Sequence, residues 1–138
     1  MLSENFSFEN VMIIDDTQVD RYIAKYVMNK HNFSRNILEF DMAEKALEYL
    51  RTNEDNPHML PQVILLDIRM PEIDGFGFLD IFSTMPSLKS CCCIIMISSS
   101  LSDHDHQRAA EHDVVKNFLN KPLTKERLED VVALFNKV

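Results

Sequence analysis

The chain has 138 residues, of which 46% are hydrophobic, so it is long enough for one domain with a substantial core and too short for two ordinary domains. Its 22 acidic residues outnumber its 14 basic ones, and the resulting net charge of −8 makes a nucleic-acid partner unexpected. No apolar stretch approaches the roughly 20 residues that cross a bilayer. The acidic start does not resemble a secretory signal, so we expect no membrane partner and a cytoplasmic location.

Five short apolar runs recur along the chain, with room for a helix after each. They cover residues 11–14, 36–40, 63–66, 94–97 and 117–119. The first, third and fourth runs are continuously apolar, which is typical of strands covered on both faces in a parallel sheet. The pattern predicts an α/β fold in which a strand and a helix alternate five times. We expect the second run to form an edge strand away from any site.

Three of the intervening segments carry apolar residues at the i, i+3 and i+4 spacing of a helix. The stripes are Val19, Ile23, Tyr26 and Val27; Ala43, Ala46, Leu47 and Leu50; and Leu128, Val131, Val132 and Phe135. Asp41 and Glu44 have the spacing of a capping box, and Thr124 is predicted to cap the last helix.

The segment 102–113 is more polar, with Ala109 and Ala110 as the apolar residues of its middle part. It predicts a weakly held, largely exposed helix. His104, His106 and His112 also lie here among aspartates, but a polar helix start explains them better than a transition-metal site, which needs converging ligands and supporting contacts.

Cysteine and glycine usage excludes several functions. Cys91, Cys92 and Cys93 are adjacent, so we expect reduced thiols rather than a disulfide framework or a zinc site. The two glycines, Gly75 and Gly77, cannot build a glycine-rich dinucleotide or phosphate loop. The pattern therefore argues against nucleotide-binding versions of the α/β fold.

Polar residues follow four of the five predicted strands. Asp15 and Asp16 follow the first strand, Asp67 the third, Ser98 the fourth and Lys121 the fifth. In a parallel sheet the carboxyl ends of all strands lie at one edge, where ligands of open α/β folds bind. The sequence therefore predicts a site there, built from three acids, a hydroxyl and an ammonium group.

These residue types favour a particular chemistry. Three neighbouring carboxylates repel one another unless a hard cation neutralises them, and Mg²⁺ prefers one or two carboxylates together with phosphate oxygens and water. Asp67 would then be free to act as a nucleophile toward a phosphoryl group, giving an aspartyl phosphate. Lys121 would place a positive charge on the phosphoryl oxygens, and Ser98 would donate a hydrogen bond to them.

Asp15-Asp16, the segment Asp67-x-x-Met70-Pro71-x-x-Asp74-Gly75, Ser98 and Lys121-Pro122 together resemble the receiver domain of two-component response regulators. The resemblance covers residues 10–138, leaving 1–9 as a short N-terminal extension and no output domain. It implies a (βα)5, doubly wound, flavodoxin-like fold, also found in CheY-like proteins, with strand order 2-1-3-4-5.

The resemblance also implies a role for each matching residue. Asp67 is the phosphoacceptor, while Asp15, Asp16, Asp67 and the backbone carbonyl of Arg69 hold magnesium. Ser98 is the switch hydroxyl, Phe118 the switch aromatic and Lys121 the phosphate-binding lysine, before a cis Pro122. The positions that modulate dephosphorylation carry Arg69 and Ser100.

The leading hypothesis is a stand-alone response regulator in phosphorelay signal transduction. A sensor histidine kinase or a histidine phosphotransfer protein would phosphorylate Asp67 in a magnesium-dependent step. The surface formed by the fourth predicted helix, the fifth strand and the fifth predicted helix would then change its affinity for a downstream protein target. We expect a monomer or weak dimer, and no enzyme activity beyond the protein's own phosphorylation and dephosphorylation.

Two alternatives remain open at this stage. A haloacid-dehalogenase-type phosphatase also uses an aspartate nucleophile with magnesium, but it needs a second acid two residues later, where this chain has Arg69. A phosphorylation-independent interaction module with the same fold is disfavoured by the complete acid set.

Overall fold

A computed structural model of the protein describes residues 5–100 and 102–136. Five parallel strands form one sheet in the order β2-β1-β3-β4-β5. The strands are β1 (Phe8–Ile14), β2 (Ser34–Phe40), β3 (Val63–Asp67), β4 (Cys93–Ser98) and β5 (Val115–Asn120). The predicted (βα)5 fold and its strand order are therefore confirmed, and β2 is an edge strand as expected. Strand β1 starts at Phe8, within the residues assigned above to an N-terminal extension.

In the described part of the chain, six helices flank the sheet: α1 (Gln18–Lys30), α2 (Ala43–Thr52), α3 (Gly75–Phe82), α4 (Pro86–Lys89), α5 (Asp103–Ala110) and α6 (Lys125–Phe135). A short 3-10 helix, Pro57–Met59, precedes β3. Because α4 is a single extra turn, the fourth and fifth predicted helices correspond to α5 and α6. Within the described residues no helix combines the length and apolarity needed to span a membrane.

The core has two layers, one on each face of the sheet. Residues of α2, α3, α4 and α5 pack on one face, and residues of α1 and α6 pack on the other. In β3, Ile64 and Leu66 point to the first layer while Val63 and Leu65 point to the second, and all four are fully buried. This burial on both faces is why the strand sequences are continuously apolar, and it stabilises the strands by about 1.5–3 kcal/mol per large side chain.

The predicted apolar stripe of α1 is partly wrong. Ala24 and Met28 are the buried residues of this helix, whereas Val19 and Tyr26 are 64% and 57% exposed. The sheet-facing side of α1 is therefore centred on Ala24 and Met28, with Val27 packed beside it, while Val19 and Tyr26 lie off this side. The small side chain of Ala24 lets the helix lie close to the sheet, and a pattern that weights only large apolar residues misses it.

Of the two predicted helix caps, the one at Asp41 is wrong and the one at Thr124 is confirmed. Helix α2 begins at Ala43 after Met42, which makes no side-chain capping bond, and Asp41 lies outside the helix. The predicted cap is wrong because Met42, one residue later, occupies the N-cap position, and the Asp41 carboxylate forms an ion pair with Lys45 at 3.1 Å. The predicted cap of α6 is confirmed, since Thr124 accepts a hydrogen bond from the backbone N–H of Arg127 at 3.2 Å.

Candidate functional site

The predicted polar residues meet at the carboxyl edge of the sheet. Asp67 is the last residue of β3, Ser98 is the last residue of β4, and Asp15 directly follows β1; all three are buried. Lys121 follows β5, and its bond to Pro122 is cis as predicted. The sheet register aligns these strand ends, because Asp67 lies beside Ile97 and Ser98 lies beside Asn120.

Three carboxylates form the centre of the site. Asp15, Asp16 and Asp67 each offer an oxygen, and these oxygens lie within 4.8 Å of one another. Asp15 Oδ1 accepts a hydrogen bond from the backbone N–H of Thr17 at 2.9 Å. Asp15 Oδ2 is fully buried and accepts no hydrogen bond of good geometry, although the Lys121 ammonium forms an ion pair with it.

The acid trio fits a hard divalent cation such as Mg²⁺. Its donors are all carboxylate oxygens, two of its members are buried and the third, Asp16, is open to solvent. An exposed ligand leaves room for the water molecules that Mg²⁺ retains. The backbone carbonyl of Arg69 remains a predicted fourth ligand.

The Lys121 ammonium group lies among the acids. Its Nζ is 2.7 Å from Asp15 Oδ2, 2.9 Å from Asp20 Oδ2 and 3.4 Å from Asp67 Oδ1. Asp20, in the first turn of α1, was not predicted from the sequence. No local signal identified it, because Asp16 precedes α1 and its spacing to Asp20 does not place the two residues on one helix face.

Burial and charge shift the protonation of both central groups. Burial, helped by the charge of Asp15, raises the pKa of Asp67 from 3.8 to about 6, while Lys121 acts in the opposite direction. Burial alone would lower the pKa of Lys121, but its contacts with Asp15 and Asp20 and the charge of Asp67 raise it above the ordinary value. Lys121 therefore stays charged, and it faces Asp67, whose ionisation is disfavoured by burial.

The predicted switch residues lie close to the site but do not contact Asp67 in the described hydrogen bonds. The Ser98 hydroxyl donates to the carbonyl of Ser100 and accepts from its N–H, both at 3.1 Å. Phe118 is half-buried on β5, and its ring lies 4.7 Å from the ring of His106 on α5. Both side chains thus connect the sheet edge to the region around α5.

The side chain of Arg69 points away from the acids and contacts α5. Its guanidinium donates to the buried carboxylate of Asp105 at 2.8 Å. Asp105 also forms a capping box with Ser102 at the start of this helix. This box was not predicted from the sequence, although Ser102 and Asp105 have the required spacing. The aspartate and histidine segment considered for a transition metal forms the first turn of α5 instead.

The loop after Asp67 explains the motif that follows it. Met70 is buried in the first core layer, and Asp74 caps α3 by accepting a hydrogen bond from the N–H of Gly77 at 2.9 Å. A Cβ at Gly75 would lie 2.7 Å from the carbonyl oxygen of Asp67, closer than atoms can approach. Glycine therefore lets α3 start directly beside the end of β3.

The doubly wound parallel sheet with acids, a hydroxyl and a lysine at its carboxyl edge defines the class of receiver-type α/β proteins. A solved two component response regulator from Cytophaga hutchinsonii has this fold, with a TM-score of 0.85 and 24% identity over 94% of this chain and 98% of that one. The similarity shows the common fold.

The family model for the response regulator receiver domain matches residues 11–133, and the chain belongs to this family. The probable methanogenesis regulatory protein FilR2 of Methanothrix harundinacea is 28% identical over 88% of this chain and 77% of its own length. The two-component response regulator ORR1 of Oryza sativa subsp. japonica is 26% identical over 86% of this chain, which spans about half (52%) of that protein. The resemblance inferred from the site residues is therefore confirmed at the level of the family.

Proposed function

We propose that this protein is a response regulator that accepts a phosphoryl group on Asp67 in a magnesium-dependent step. The donor is a sensor histidine kinase or a histidine phosphotransfer protein. The observation that carries the proposal is the environment of Asp67, a buried carboxylate grouped with Asp15 and Asp16 within 4.8 Å and with Lys121 at 3.4 Å. The proposed nucleophile, its two acid partners and the ammonium group of Lys121 thus come from the ends of β3, β1 and β5.

In this step an Asp67 carboxylate oxygen attacks the phosphorus of a phosphohistidine. The bond between phosphorus and the imidazole nitrogen breaks, and its electron pair leaves with the imidazole, which takes a proton from water. Lys121 neutralises part of the negative charge on the transferring group. Asp15 and Asp16 would hold Mg²⁺, which would supply further charge neutralisation when bound.

The phosphoryl group then recruits the switch residues. The Ser98 hydroxyl exchanges its bonds to Ser100 for a phosphoryl oxygen, and Phe118 moves with it. Because Phe118 packs against His106, this movement reaches α5 and changes the surface of α5, β5 and α6 toward a protein target. In this proposal the protein turns over no other substrate.

The phosphatase alternative is further disfavoured by Arg69. That chemistry requires an acid two residues after the nucleophile to exchange protons, whereas this side chain is a guanidinium held by Asp105 at 2.8 Å. Arginine stays protonated in proteins and cannot serve as a general base.

The test is labelling with acetyl phosphate and Mg²⁺. Wild type should acquire a base-labile phosphoryl group, whereas Asp67→Asn should acquire none. Asp130→Asn, which removes an exposed acid from α6, is the matched control and should label like wild type. If wild type stays unlabelled with both acetyl phosphate and phosphorylated kinases, the chain is a phosphorylation-independent interaction module.

A further inference from the structure

Lys121 contacts an aspartate, Asp20, that takes no part in the proposed phosphoryl transfer. Its ammonium donates a hydrogen bond to Asp20 Oδ2 at 2.9 Å, shorter than its 3.4 Å contact with Asp67. The Lys121 side chain is 14% exposed and that of Asp20 is 34% exposed. The ammonium is therefore held between Asp15, at 2.7 Å, and Asp20 of α1, and it lies farther from Asp67.

The space around this pair allows the lysine to move. A cavity of about 420 Å³ lies between α1 and the connection from β5 to α6. Asp20 and Lys121 are among its polar lining residues, and Ile23, Pro122 and Leu123 are among its apolar ones. The ammonium group thus borders open volume and can change partners without repacking of the core.

Phosphorylation alters the competition for this one cation. In the described state Asp15, Asp20 and Asp67 share the ammonium of Lys121. A phosphoryl group on Asp67 would add oxygen acceptors and negative charge next to an ammonium group that already lies 3.4 Å from Asp67 Oδ1, and these would compete with Asp20 for its N–H donors. The ion pair with Asp20 would therefore weaken the contact between Lys121 and the phosphoryl group.

We propose that Asp20 is a positioning residue that holds Lys121 toward α1 and so opposes the phosphorylated state. This inference rests on the proposed phosphorylation of Asp67. It deepens that function by assigning to α1 a residue that sets how readily the site accepts a phosphoryl group.

The experiment titrates the full chain with beryllofluoride, a stable phosphoryl mimic, at constant Mg²⁺, and follows the bound fluorine by NMR. Asp20→Asn should bind beryllofluoride about twofold to fivefold more tightly than wild type, the range expected for a partly exposed ion pair. Asp20→Glu restores the charge and should return the affinity toward that of wild type.

Two controls test whether Asp20 acts through Lys121. Glu39→Gln removes an acid of matched exposure, 32%, that pairs with Arg21 and Lys25 instead, and it should leave the affinity unchanged. In a Lys121→Met background, the substitution Asp20→Asn should lose most of its effect. A gain that persists without Lys121 would mean that Asp20 acts only through general repulsion, which overturns the proposal.

The remaining outcomes separate this inference from the function on which it rests. If wild type binds beryllofluoride and Asp20→Asn binds with equal or lower affinity, Asp20 does not oppose the phosphorylated state, and the proposed phosphoacceptor function survives. If wild type binds no beryllofluoride in the presence of Mg²⁺, both proposals fail.

Discussion

Asp67 combines two properties that oppose each other. Its burial and the nearby Asp15 raise its pKa to about 6, yet the proposed attack on phosphorus requires the ionised carboxylate. The Lys121 ammonium at 3.4 Å compensates in part. Ionised Asp67 is therefore unfavourable in the folded protein, and the stability of the protein should depend on pH.

The substitution Asp67→Asn is expected to stabilise the protein at pH 7.5 in the absence of divalent cations. Because the pKa of Asp67 is about 6 when folded and 3.8 in its ordinary state, the folded protein binds this proton more tightly. The stability from Asp67 is fully present below about pH 4 and is lost as the pH rises through about 6. The gain over wild type should be on the order of 1–2 kcal/mol at pH 7.5, after discounting for solvent screening.

Urea unfolding with a chelator at pH 4.5 and pH 7.5 measures this difference. The advantage of Asp67→Asn should shrink at the lower pH. An equal advantage at both values would show that the shifted pKa of Asp67 does not contribute to stability.

Alanine substitutions at Gly75 and Gly77 can be compared directly, because a Cβ meets a close atom at both positions. Gly75→Ala places a Cβ 2.7 Å from a backbone oxygen of Asp67, and the backbone must shift, so we expect a loss of about 1–3 kcal/mol. At Gly77 the close atom, at 2.9 Å, is Cγ2 of the Ile73 side chain, which can move. Chemical denaturation of the two variants should therefore rank Gly75→Ala as clearly less stable than Gly77→Ala, and the reverse order would contradict the geometry.

The first turn of helix α5 is held by a capping box and by an ion pair with Arg69. Asp105 completes its capping box and also accepts from Arg69. The Arg69 side chain is 60% exposed, so its ion pair should contribute little, whereas a lost cap costs about 1 kcal/mol. The cap is therefore expected to dominate the stability of this helix.

Ser102→Ala removes the hydroxyl that accepts from the backbone N–H of Asp105 at 3.1 Å, and it should speed hydrogen exchange of the first amides of α5 by about fivefold, which corresponds to the loss of a cap. Arg69→Ala should change the same rates by about twofold or less. A larger acceleration by Arg69→Ala than by Ser102→Ala would show that the ion pair, and not the cap, dominates the stability of this helix start.

Local sequence patterns predicted elements well where one signal dominated. The stripe Ala43, Ala46, Leu47 and Leu50 of α2 is buried throughout. On α1 the larger residues were misleading, because Ala24 and not Val19 contacts the sheet. Asp41 was assigned as a cap from its spacing, but its bond to Lys45 depends on side-chain positions that spacing does not encode.

At the scale of the whole molecule, the fold and the central site follow from chain order. Short apolar runs fix the parallel strands, and a parallel sheet brings their carboxyl ends together, so Asp15, Asp67 and Lys121 were predictable neighbours. The contact between Asp20 and Lys121 spans 101 positions and depends on how α1 lies on the sheet. Its geometry is a tertiary property, and no local pattern specified it.

Mg²⁺ should stabilise the entire domain through the acid trio. A cation that binds only the folded state, at ten times its dissociation constant, adds about 1.4 kcal/mol to the free energy of unfolding. Thermal unfolding should show this increase for wild type and for Asp130→Asn, but not for Asp15→Asn. A full increase in Asp15→Asn would place the cation elsewhere.

The most direct test of the central claim is chemical mapping of the phosphorylated residue. After incubation with acetyl phosphate and Mg²⁺, borohydride reduces an aspartyl phosphate to homoserine, which mass spectrometry locates within a peptide. We predict conversion at Asp67 and its loss when Mg²⁺ is chelated. Homoserine at another aspartate, or its absence from every aspartate after full treatment, would contradict the assignment of Asp67 as the phosphoacceptor.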